Sequence, residues 1–195
     1  IDLYPPAPVD YGQCLFYYNA MRCLGYYNGK PGWILLGEYR ETFEMMRSQW
    51  WLMLGSGLES YGWYGANYGG GPHGIGADRI HRIAPYDRLA MRYSSLLARW
   101  DKPRSRVAIY WSLASCARRG EDEGRKTIRI YGREVEKACQ AAAVELYRHD
   151  LYPDVITEAE ILAGKHDQYD AIILPGVTWD TRPVVQKLTA YAKSH

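Results

Sequence analysis

The feature that most constrains this chain is a repeated alternation between apolar runs of strand length and helical stretches. "WILLGEY", at residues 33–39, is a continuous apolar run, the pattern of a parallel strand buried on both faces. Thr42 then stands where a helix cap belongs, and Phe43, Met46, Trp50 and Met53 or Leu54 share one face of the helix that follows. "GSG" at 55–57 stops that helix, and "LESYGWYGA" at 58–66 reads as an aromatic-rich strand. Upstream, residues 1–7 ("IDLYPPA") read as a short strand. Asp10–Tyr27 reads as a helix, with Leu15, Tyr18, Met21 and Leu24 at three-residue spacing, and "NGKPG" as punctuation. Downstream, Asn67–Arg79 is too glycine-rich to be regular, whereas Tyr86, Leu89, Tyr93, Leu96 and Trp100 predict a helix over 85–100. Residues 1–100 therefore read β-α-β-α-β-loop-α, which means a parallel sheet covered by helices.

A second alternation begins after "DKPRS" (101–105), which has the composition of a linker. "RVAIYWS" (106–112) predicts a strand, and "ARRGEDEGRKT" (117–127) an exposed loop without periodicity. Residues 133–150 predict a helix with Val135, Cys139, Ala142 and Leu146 along one face. "PDVIT" (153–157) and "YDAIILPG" (169–176) predict strands, and Thr181-Arg182-Pro183 opens a last helix with Pro in the favoured first turn. The order over 106–195 follows the flavodoxin-like α/β pattern. Three strands are few for such a domain, and the chain starts with Ile, so the expectation is that neither natural terminus is shown.

Composition narrows the classes of function. Hydrophobic residues make up 47% and charged residues 24%, which matches a globular chain. The formal net charge of +2 gives no electrostatic case for nucleic acid or an anionic membrane. No apolar run reaches membrane-spanning length, and the first ten residues lack the regions of a signal peptide, so a cytoplasmic protein is expected. Four separated cysteines, Cys14, Cys23, Cys116 and Cys139, form no CxxC pair and read as core thiols. The unusual feature is 18 Tyr and 7 Trp against 2 Phe. Flat apolar faces with polar edges suit sugar ligands, and they equally suit the margins of a large core.

Several motifs are weaker than they look. His73 and His81 stand eight residues apart, which is not metal-ligand spacing on a helix, so no metal is expected. "GGGPHGIG" lacks the Lys-Ser/Thr of a phosphate loop, and no GxGxxG follows "RVAIYWS", so no cofactor is expected. Neither Cys116 in "LASCARRG" nor Cys139 in mid-helix has the tight strand-to-helix turn of a cysteine nucleophile.

The order "D-x-Y-P" (2–5), "KPGWILLGE" (30–38), "R-x-Q-W" (47–50) and "GLESYGWYG" (57–65) resembles the last three βα units of a clan A glycoside hydrolase barrel. The segment with "RVAIYWS" and "YDAIILPG" is similar to the domain that follows the barrel in family 42 β-galactosidases. That domain is itself class I amidotransferase-like and is used there for trimerisation. The resemblance implies residues 1–100 as the end of a (β/α)8 barrel, 101–105 as linker, and 106–195 as an incomplete flavodoxin-like assembly domain. It implies a retaining β-glycosidase with Glu38, at the end of the seventh strand, as nucleophile. Asp2, Tyr4, Trp63 and Tyr64 would then contact substrate.

The acid/base glutamate that the family places after strand four has no counterpart, since strands one to five are absent. The implied partners are a carbohydrate substrate and either further copies of the chain or the missing part of the barrel. The rival reading is a non-catalytic carbohydrate-binding or assembly module. In it Glu38 is a strand-end charge, and Trp63 and Tyr64 are core aromatics. Glu59, the other carboxylate nearby, starts its strand, and a structural role is expected for it.

Overall fold

The computed structural model describes residues 11–30, 32–36, 43–58, 60–63, 77–97, 105–122 and 133–194. The fold is mixed α/β with short parallel strands, and the chain divides into two compact units, Ile1–Pro103 and Arg104–His195. The expected strand at 1–7, the cap at Thr42 and most of the glycine-rich loop lie outside the described residues.

In the first unit the order is α1 (Tyr11–Tyr27), β1 (Trp33–Leu36), α2 (Phe43–Gly55), β2 (Ser60–Trp63) and α3 (Ala77–Leu97). β1 and β2 pair in parallel, with Ile34 opposite Tyr61 and Leu36 opposite Trp63. α2 carries the expected face, since Met46, Trp50 and Met53 are all buried. α1 and α2 pack on each other and on β1, and α3 packs on α2. Ile34 is fully buried, and the Tyr61 hydroxyl donates to Asp87 Oδ1 of α3 at 2.7 Å. Trp50 of α2 meets Tyr86 of α3 with ring centroids 5.3 Å apart.

Three sequence expectations change here. β1 is not buried on both faces, because Trp33 is 44% exposed. In α1 the spacing of Leu15, Tyr18, Met21 and Leu24 does not mark the buried face. Cys14, Phe16, Tyr17, Tyr18, Asn19, Ala20 and Cys23 are all buried, so the helix is covered around most of its circumference. α3 begins at Ala77 rather than 85 and carries Pro85 inside it, where the ring has no N–H for the carbonyl one turn back. Its apolar stripe is buried at Tyr86 but exposed at Tyr93 and Leu96.

The ends of α1 and α2 share one device. After α1, Lys30 N–H donates to the Gly25 carbonyl and Gly29 N–H to the Tyr26 carbonyl. After α2, Leu58 donates to Met53 and Gly57 to Leu54 in the same way. Gly29 and Gly57 hold the left-handed conformation this closure needs, with φ of 60° and 75°. "NGKPG" and "GSG" therefore act as read.

In the second unit the order is β3 (Val107–Tyr110), α4 (Leu113–Asp122), α5 (Arg133–Arg148), β4 (Asp154–Ile156), α6 (Glu158–Leu162), a 3-10 turn (Lys165–Gln168), β5 (Ala171–Ile173) and α7 (Arg182–Ser194). The sheet is parallel with order β4-β3-β5, so the first strand lies in the centre. The two crossovers run in opposite directions from β3 and β4. If both are right-handed, they lie on opposite faces of the sheet. α4 packs on α5 and α6 on α7. Ala108, Ile109, Tyr110, Val135, Cys139, Val155, Ile156, Ile161 and Val184 form the buried core. The loop expected over 117–127 is a correction: α4 runs through Asp122.

Candidate functional site

Of the residues implied by the glycosidase resemblance, Asp2, Tyr4, Glu38 and Tyr64 lie outside the described residues, and Trp63 closes β2. What the first unit describes is their scaffold. Because β1 and β2 are parallel and in register at Leu36 and Trp63, the chain leaves both strands at the same end of the sheet. Glu38 is two residues beyond Leu36, and Tyr64 follows Trp63 directly. Carboxyl ends of parallel strands are where such α/β folds place their chemistry.

The polar cluster that is fully described sits in the second unit, at the carboxyl end of β3. Ser112 caps α4, its Oγ accepting the Ser115 N–H at 3.0 Å. Glu158, from the first turn of α6, reaches the same helix end and accepts the Ala114 N–H at 2.8 Å. The Ser112 hydroxyl lies 3.2 Å from Glu158 Oε1 and 3.4 Å from Asp180 Oδ2, and its one hydrogen serves one carboxylate at a time. Asp180 also accepts from the Tyr110 hydroxyl and, through Oδ1, from the Thr181 N–H at 2.7 Å.

Ser115 is fully buried. Its Oγ accepts the N–H groups of Thr178 and Trp179 at 3.2 and 3.1 Å and donates to the Trp179 carbonyl. The loop after β5 is thereby stitched to the first turn of α4.

This arrangement fixes what the crevice does. In doubly wound sheets, the crevice beside the first strand and the following helix N-terminus takes phosphates. Here the Ala114 and Ser115 amides of α4 are taken by Glu158 and Ser112, and a phosphate would face two carboxylates. Burial first, then the hydrogen bond to Asp180 and the charge of Glu158, push the Tyr110 phenol far above its ordinary range, so it remains an O–H donor. Burial likewise pushes the Cys116 thiol up to about 11 and Cys139 up to about 12. Both remain thiols at neutral pH, which makes them poor nucleophiles.

Sequence reasoning did not single out Tyr110, Ser112, Ser115, Glu158 or Asp180. The available local signals were Ser112 before a helix and Thr157-x-x-Glu160, a capping pattern in which the Glu160 carboxylate accepts the Thr157 N–H at 2.8 Å. Among the described residues no group of three or more His, Cys, Asp or Glu stands close enough to hold a metal ion. None of the described helices is long and apolar enough to cross a membrane. Comparison with known proteins finds no family model that matches the chain and no matching curated protein.

Proposed function

We propose that this chain is part of a retaining β-glycosidase similar to family 42 β-galactosidases, with Glu38 as the nucleophile and the acid/base carboxylate supplied from outside these residues. The observation that carries the reading is the parallel β1–β2 pair of the first unit, whose strands end together at Leu36 and Trp63. Among the described residues α1 and α2 pack on β1 and α3 on α2, while Trp33, next to the buried Ile34, is 44% exposed. Parallel sheets are ordinarily covered on both faces, and a barrel achieves this by turning one face inward. On this reading Glu38 attacks the anomeric carbon while its partner protonates the leaving oxygen. Trp63 and Tyr64 would stack on the sugar, and Asp2 and Tyr4 would bind it from the neighbouring strand end.

The second unit, on the same reading, is a flavodoxin-like, amidotransferase-like assembly module that forms trimers in a cytoplasmic enzyme. Its self-satisfied crevice and protonated thiols favour a non-catalytic role.

Glu38→Gln in the complete protein tests the central assignment. The expected result is a large fall in turnover with sugar binding retained. Unchanged turnover removes the nucleophile and leaves the carbohydrate-binding or assembly module. Trapping with a fluorinated glycoside and mapping the labelled peptide is an independent check, which a label away from Glu38 overturns.

A further inference from the structure

We draw no further inference here: the strongest candidate, the exposed Tyr93–Leu96 stripe on the C-terminal half of α3 beside Arg88 and Arg92, is an unpartnered apolar face, and nothing in the structure shows what covers it.

Discussion

Ser115→Ala is the sharpest test of how the second unit is held together. The hydroxyl is fully buried and serves three backbone groups: the N–H groups of Thr178 and Trp179 and the carbonyl of Trp179. A hydrogen bond of this kind contributes about 1 kcal/mol net, and a buried donor left without an acceptor costs about 1–3 kcal/mol. Thr178 and Trp179 are themselves exposed residues, so water can reach part of what alanine abandons. The expected loss is therefore about 2–3 kcal/mol, near the sum of three net bonds and below the full penalty for two orphaned donors. With a urea slope of about 1–3 kcal/mol per molar, the midpoint of the second unit falls by roughly 0.7–3 M.

Amide exchange gives the local reading. Protection at Thr178 and Trp179 should drop by more than at the β3 amides. A midpoint unchanged in urea, with both amides still protected, would refute the claim that Ser115 stitches the loop to α4.

Other consequences are as specific. The closure after α5 repeats the device seen at Gly29 and Gly57, with Leu151 donating to Leu146 and Asp150 to Tyr147, but the left-handed position is Asp150 at φ 56°. Asp150→Gly should stabilise by about 0.5–1 kcal/mol, and thermal unfolding no higher than wild type would count against it. Glu158→Ala should cost about 1–2 kcal/mol by removing the charge-assisted bond to the Ala114 N–H, with Glu158→Gln costing less. Equal losses in denaturant titrations would remove the charge from the account.

A Cβ on Gly32 would meet Leu58 Cδ2 at 2.8 Å and the Met21 carbonyl at 3.0 Å. Gly32→Ala should therefore destabilise the first unit by about 1–3 kcal/mol, read by circular dichroism, and a neutral result would show that α1 moves freely from β1. Burial raises the Tyr61 phenol from 10.0 to about 12, against a lowering contact with Trp50 and with further raising from Asp87. Its neutral form therefore favours the folded state below pH 10, and that contribution is lost as pH rises towards 12. Ultraviolet titration of Tyr61→Phe should lose a late-titrating phenol, and loss of one near 10 instead would contradict the burial argument.

What could be read from the sequence depended on how local its cause was. α2 was clear because Met46, Trp50 and Met53 recur on one face and Gly57 closes the helix within its own turn. α7 was clear because Thr181-Arg182-Pro183 is a start signal that acts locally, and Val185 N–H does bond the Thr181 carbonyl. α4 is hard to read because Arg118, Arg119, Glu121 and Asp122 give its second half the composition of an exposed loop, and part of its N-terminal support comes from Glu158, a residue far along the chain. The start of α3 is read late because the apolar stripe begins at Tyr86, whereas the helix runs through Pro85 from Ala77.

The same distinction governs the sites. The described cluster joins Tyr110, Ser112, Glu158 and Asp180, polar side chains whose separation in sequence leaves no periodic trace. For the glycosidase reading, the sequence provided the order of units and the position of Glu38. The described residues provide the register beneath it, Leu36 beside Trp63.

That register constrains where the second carboxylate of the proposed reaction must stand. Retaining chemistry needs its two carboxyl groups about 5–5.5 Å apart, on either side of one glycosidic bond. Parallel strands in a sheet are about 4.8 Å apart, so neighbouring strand ends alone would bring two side chains that close. The neighbour described here is β2, whose end carries Trp63 rather than an acid. On the proposed reading the acid therefore comes from a strand end other than that of β2.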